Sequence, residues 1–310
     1  MSQEFLTAEH VRWAYRLLLD REVESDDAID TKLRAWRTTA ELRLDIMASE
    51  EFGLKNPDHA TTGGSTIVIK PLADGTRLFV DVSDHVIGRP IVRDAYEQAE
   101  VRCALRVLRD GDVAIDIGAH IGFFTIQLAR AVGATGHVYA FEPFEANAGL
   151  LMQSIAENGF TGRVTLERQA VSDRDGEATF LFAERSINSG GGFLGERASA
   201  PAGVSSRQVR TVRLDGYPFR QPIRLIKLDV EGDEPAVIAG AAALIARDRP
   251  FIVSEVHPEQ LARVSGVSPA DLFAQLAALG MRPHRIVDDG IGPRMSAADI
   301  TGVTTIVFTP

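Results

Sequence analysis

From Val113 onward the chain repeats one pattern: a short apolar strand, a turn, then an amphipathic helix. The strands read as Val113–Ile117, His137–Phe141, residues 164–166, residues 224–230 and Phe251–Val256. Helices are expected at Phe123–Ala131, Glu145–Glu157 and residues 234–246, and another opens at Ser268-Pro269 and ends at Gly280. Strands alternating with helical crossovers pair in parallel, and such a sheet needs helices on both faces. The expected fold class is therefore α/β, a doubly wound, mostly parallel sheet. Residues 178–182 and 209–214 read as extra strands around a glycine-rich stretch, and 303–308 as the last strand.

The chain before this pattern is different. Val11, Ala14, Tyr15 and Leu18 follow the stripe of an amphipathic helix capped by Thr7. Ile29, Leu33 and Trp36 form a second stripe, and Thr38 with Glu41 has capping-box spacing for a third helix. Residues 1–55 are thus a small helical domain, 56–64 a linker, and 65–310 the main domain. Within the last, a hairpin (66–70 and 77–82) and a helix over 92–108 precede the core at 111–310.

Composition narrows the function. With 43 acidic and 33 basic residues the net charge is −10, which excludes a dedicated binder of nucleic-acid phosphates. A single cysteine, Cys103, excludes a disulfide framework and a four-thiolate zinc site. No apolar run reaches membrane-spanning length and no signal peptide is visible, so a cytoplasmic protein without a membrane span is expected. Only four lysines occur, so Lys227 inside a strand stands out.

Two features of the repeat carry chemistry. Asp116, Gly118, Ala119, His120 and Gly122 form a D-x-G-x-x-x-G turn between the first strand and its helix. Glu142 ends the second strand 24 positions after Gly118. An acidic residue there can take both hydroxyls of a ribose, although a helix-capping carboxylate before Pro143 would look the same. There is no P-loop, and His120 stands where a dinucleotide turn needs its second glycine. A ribose without a pyrophosphate fits, and S-adenosylmethionine is the common cofactor of that kind, with Asp116 facing its ammonium group.

The later strands end in further charge. Lys227 and Asp229 share a face of one strand, and Glu255 and His257 have the same spacing on the next. Adjacent parallel strands bring Asp229 and Glu255 together. Such carboxylates can share a proton, act as a base or hold a hard cation such as Mg2+, and His257 is a second candidate base.

The segments DIGAHIG, FEP, IKLDVEG and SEVH resemble the FkbM-type methyltransferases, from about Tyr96 to Phe308. The resemblance implies a Rossmann-like class I fold and S-adenosylmethionine-dependent O-methylation of a sugar, glycan or natural-product hydroxyl. It places Asp116, Gly118 and Glu142 on the cofactor, Ala170, Val171 and Ser172 along the adenine, and Asp229 and Glu255 beside the acceptor. Tyr96, Glu97, Leu214, Asp215 and the run Asn188-Ser189-Gly190 are also family-like positions. Where this family usually carries asparagine, this chain has His120. Residues 15–21 and 49–52 resemble a small helical domain found beside bacterial glycan enzymes, which implies a glycan context. The alternative for these helices is an arm that packs on the main domain or joins two copies. For the whole chain the alternatives are a non-catalytic nucleoside-binding module and an N-methyltransferase of a small molecule.

Overall fold

The structure is a computed structural model. It describes residues 6–47, 49, 51–52, 66–183, 190–195, 204–288 and 290–310. The expected linker, 56–64, lies outside the described residues, as do Asn188 and Ser189. The chain divides into two compact units, Met1–Thr66 and Ile67–Pro310.

The first unit holds α1 (Ala8–Leu19), α2 (Asp26–Ala35) and α3 (Thr39–Met47). Their starts follow the cap residues. Thr7 Oγ1 accepts the His10 N–H, and Thr38 Oγ1 accepts the Glu41 N–H at 3.2 Å while Glu41 Oε2 accepts the Thr38 N–H at 3.0 Å. The apolar stripes meet in a core of Val11, Tyr15, Leu19, Ile29, Trp36, Leu42 and Ile46.

The second unit opens with the antiparallel hairpin β1 (Ile67–Pro71) and β2 (Arg77–Asp81). The helix expected over 92–108 is instead two: α4 (Gly88–Val92) and α5 (Gln98–Arg106). Asp94 (φ 57°) and Glu97 (φ 41°) take left-handed backbone between them. No α-helix can pass through two such residues.

The main sheet contains β3 (Val113–Ile117), β4 (His137–Phe141), β5 (Val164–Glu167), β10 (Leu225–Leu228), β11 (Phe251–Val256), β12 (Arg282–Val287), β13 (Gly290–Arg294) and β14 (Thr304–Thr309). Its order is β13-β12-β14-β11-β10-β3-β4-β5. Strands β5, β4, β3, β10 and β11 run parallel, and β14 enters antiparallel beside β11. The doubly wound expectation is borne out. The order reverses at β3, and ligands bind at the carboxyl ends of the strands at such a switch point. Side chains alternate between two cores. Ala114, Val138, Ala140 and Leu225 face one, and Ile115, Ile117, Phe141, Ile226 and Leu228 the other.

α6 (Phe123–Ala131) and α7 (Glu145–Glu157) keep their expected bounds. The helix expected over 234–246 splits at Ala241 into α8 (Glu234–Gly240) and α9 (Ala242–Asp248). Gly240 lies so close to the chain that an added Cβ would sit 2.0 Å from the Ser172 carbonyl oxygen. The extra strands belong to a separate sheet, ordered β6-β9-β7-β8. Its members are β6 (Ala170–Val171), β7 (Gly176–Ala183), β8 (Phe193–Leu194) and β9 (Val204–Val212).

Candidate active site

A cavity of about 350 Å³ opens at the carboxyl ends of β3, β4, β10 and β11. The residues singled out from the sequence converge on it: Asp116, Gly118, Ala119, His120, Glu142, Ala170, Val171, Asp229, Glu255 and His257 all line it. Gly122 and Ser172, also singled out, are not among its lining residues.

The turn after β3 is built by close approach. Gly118 has φ 74°, and a Cβ there would lie 1.8 Å from the Asp229 carbonyl oxygen. Only glycine lets β3 and β10 finish side by side. Gly122, φ 95°, leaves its space to Leu151. His120 has φ 51°. Asparagine and histidine are among the few side chains that enter this left-handed region readily, so the exchange keeps the turn.

Glu142 holds two backbone N–H groups, one from each neighbouring turn. Oε2 accepts the His120 N–H and Oε1 the Phe144 N–H, each at 2.8 Å, so the carboxylate ties the β3 and β4 turns together, while α7 starts without a side-chain cap. Each oxygen keeps a lone pair for a ligand hydroxyl. Burial raises its pKa to about 7. Asp116 sits deeper than expected. It is fully buried on the sheet face under α6, where Thr125 Oγ1 donates to Oδ2 at 2.6 Å and Oδ1 has no partner.

Lys227 is level with Asp116 in the β3–β10 register. Its Nζ donates to Asp229 Oδ2 at 3.0 Å and stands 5.2 Å from the Phe124 ring centre. Burial works against its charge, but Asp229, Asp116 and Glu97 outweigh it and hold the ammonium ionised. This is the pairing that a lysine within a strand requires.

Asp229 and Glu255 are brought together, and Glu97 joins them. One carboxylate oxygen from each lies within 4.8 Å of the others. Glu97 comes from the break between α4 and α5, and its left-handed backbone replaces the helical turn expected there. It was legible only as a family-like position, because nothing in the local pattern predicted the break. Burial, then the neighbouring carboxylates, raise Glu255 to about 8. Burial raises Glu97 to about 7, against the pull of Lys227. His257 Nδ1 accepts the Gln260 N–H at 3.4 Å. His257 also lines the cavity, as the second candidate base.

Comparison with known proteins fits this geometry. Residues 116–283 match the Methyltransferase FkbM domain. The chain belongs to the FkbM methyltransferase family. A curated member, 31-O-demethyl-FK506 methyltransferase FkbM of Streptomyces tacrolimicus, is 29% identical over 186 residues, covering 50% of this chain and 70% of its own. The crystal structure of a methyltransferase FkbM from Methylobacillus flagellatus is 15% identical with a TM-score of 0.43; the match covers 95% of this chain and 58% of that one. A SAM-dependent O-methyltransferase from Thermotoga maritima is 15% identical with a TM-score of 0.39, covering 81% and 95%. The FkbM match spans the turn, Glu142, Asp229 and Glu255, and begins after Glu97. Among the described residues no helix is long and apolar enough to cross a membrane.

Proposed function

We propose that this chain is an S-adenosylmethionine-dependent O-methyltransferase that acts on a hydroxyl of a sugar, glycan or related natural product. The observation that carries the reading is the charge of the cavity. Asp116, Glu142, Asp229 and Glu255 line it against one buried cation, Lys227, and Asp116 Oδ1 is buried without a partner. Such a site fits a ligand that brings positive charge and hydroxyl donors. The Gly118 turn would hold the cofactor's carboxylate end, Glu142 its ribose hydroxyls, and Asp116 would lie beneath its ammonium group. Ala170 and Val171 would flank the base. When bound, S-adenosylmethionine supplies a methyl group already activated on a sulfonium.

The protein's part is then to orient the acceptor and take its proton. The Glu97–Asp229–Glu255 cluster is placed for this. Lys227 Nζ donates to Asp229, and Glu255, beside Glu97, accepts the hydroxyl proton on a carboxylate oxygen, with His257 lining the same cavity as a second candidate base. A positioned base of this kind contributes about 10²–10⁴-fold. Three carboxylates are also the donor set of a hard cation such as Mg2+. Lys227, 3.0 Å from Asp229, already supplies positive charge there, which favours the base reading. The resemblance of residues 15–21 to a domain found beside glycan enzymes supports a glycan acceptor, and the helices of that unit would serve targeting or self-association. A cytoplasmic location is part of the same proposal.

The test is transfer of a labelled methyl group to a panel of neutral sugars and glycans. Transfer should survive EDTA; a loss restored by Mg2+ would move the role of Lys227 to a metal. The rate should rise with pH through about 7–8, the range of Glu97 and Glu255, and level off above it, because the base acts ionised. Both groups have pKa values above their unfolded value, so their contribution to stability is full below about 4.5 and is lost as pH rises through 7–8. A cationic ligand recovers it. The thermal shift given by S-adenosylmethionine is therefore expected to be larger at pH 8 than at pH 6. A shift equal at both values would count against the carboxylates as the cation's partners. A folded enzyme that binds the cofactor but methylates no acceptor would leave the nucleoside-binding module.

A further inference from the structure

We propose that Lys70 is a positioning residue of the active site: by holding Val92 and Asp94 it fixes the break between α4 and α5 that carries Glu97 into the cavity. The inference rests on the S-adenosylmethionine reading above. It concerns residues that precede the family match, which begins at residue 116.

The break is strained backbone. Asp94 has φ 57° and Glu97 φ 41°, and neither is glycine. Such residues keep this conformation only where their surroundings hold them to it, and they gather at functional sites. The segment they bound puts two side chains, Tyr96 and Glu97, on the cavity wall. Its far end is held locally. Gln98 Nε2 donates to the Tyr96 carbonyl at 3.2 Å, and the Tyr96 ring meets the Phe123 ring edge-on at 5.3 Å. Its near end is held from the hairpin. Lys70 Nζ, near the end of β1, donates to the Val92 carbonyl at 3.0 Å and to Asp94 Oδ2 at 2.8 Å.

Stability alone does not account for this arrangement. The Lys70 side chain is 14% exposed and that of Asp94 62%. An ion pair with so exposed a partner contributes little, while covering a lysine is costly unless its head is satisfied. What the contact achieves is geometric. One ammonium ties the last carbonyl of α4 to the first left-handed residue after it. Without the tie, residues 93–97 can relax toward the helical turn expected there. Glu97 would then leave Asp229 and Glu255, within 4.8 Å of which its carboxylate oxygen now lies.

The experiment is calorimetric titration of the full chain with S-adenosylmethionine and with S-adenosylhomocysteine. It is run at pH 8, above the value of about 7 to which burial raises Glu97. The two ligands differ by a methyl group and the positive charge of the sulfonium, so their affinity ratio reads the charge of the wall that Glu97 belongs to. Glu97→Gln is expected to lower the wild-type ratio by about tenfold, through loss of one nearby negative charge. Lys70→Met should lower it to a similar degree, with affinity for S-adenosylhomocysteine kept within about threefold, and should add nothing further to Glu97→Gln, because both changes act through one carboxylate. Lys70→Arg keeps donors for both acceptors and should restore most of the ratio. If Lys70→Met does not fold, Asp94→Asn replaces it. Asparagine accepts left-handed backbone and removes only the ion pair, so a smaller fall of the same sign is expected. A folded Lys70→Met protein with the wild-type ratio overturns the proposal, whether or not it binds both ligands more weakly. So does an effect that adds in full to that of Glu97→Gln, which is the signature of a structural role, or a Glu97→Gln protein with the wild-type ratio. Each of these results, in a wild type that binds, overturns this inference alone. A folded wild type that binds neither ligand overturns the cofactor reading and this inference with it.

Discussion

Alanine at Gly118 is expected to abolish cofactor binding and to destabilise the protein by about 2–5 kcal/mol. Two effects add. The residue has φ 74°, a conformation that strains any side chain, and its new Cβ would overlap the Asp229 carbonyl oxygen at 1.8 Å. That oxygen belongs to backbone at the end of β10, so no side chain can swing aside. Relief requires β3 and β10 to part at their carboxyl ends, where the Asp229 N–H now donates to the Ile117 carbonyl at 3.1 Å. The parting would move the turn, Asp229 and Lys227 together. Denaturant unfolding and a titration with S-adenosylhomocysteine check both effects. Wild-type stability with wild-type binding would show that the close approach is not needed.

Asn at position 229 is expected to lower turnover by about 10²-fold, the cost of misplacing a catalytic group, because Asp229 holds Lys227 beside the Glu97–Glu255 pair. It also weakens the hold on buried Lys227, which keeps Asp116 and Glu97 as counter-charges, so the cost is expected to fall below the about 3–5 kcal/mol of a buried ion that loses its one partner. The two consequences are separable. Adding Lys227→Met removes the charge that Asp229 balanced, so the double variant should recover part of the lost stability while turnover stays low. Chemical unfolding of the single and double variants, beside methyl-transfer rates, measures each. Full activity of Asp229→Asn would remove Asp229 from the chemistry.

Much of this site could be read before the fold was known, because its parts obey short-range rules. The strand–turn–helix repeat specifies a parallel sheet. Side-chain alternation puts Lys227 and Asp229 on one face, and the spacing from Gly118 to Glu142 follows from one crossover. Adjacent strands then join Asp229 to Glu255, as expected. What escaped depended on contacts distant in sequence. Glu97 enters the cavity because two left-handed residues break a stretch whose apolar spacing reads as one helix. Asp116 is a typical strand-end carboxylate in sequence, and only the packing of α6 shows that it lies buried as a floor beneath the cavity. The β12–β13 hairpin interleaves Arg282, Pro283, His284 and Arg285 at an edge of the sheet, so it carries little of the apolar pattern that marks a buried strand. The split between α8 and α9 lies beside the close approach of Gly240 to Ser172, which no local signal announces.

The central claim is that Glu142 and the Gly118 turn form a nucleoside site. Calorimetric titration of wild type and Glu142→Ala with S-adenosylhomocysteine tests it most directly, with melting temperatures recorded because Glu142 also holds the His120 and Phe144 N–H groups. The account predicts micromolar binding by the wild type and affinity lower by about 100-fold or more in the variant, from the loss of two charge-assisted hydrogen bonds. A folded wild type that gives no heat of binding, or a Glu142→Ala protein that binds as tightly as the wild type, would contradict it.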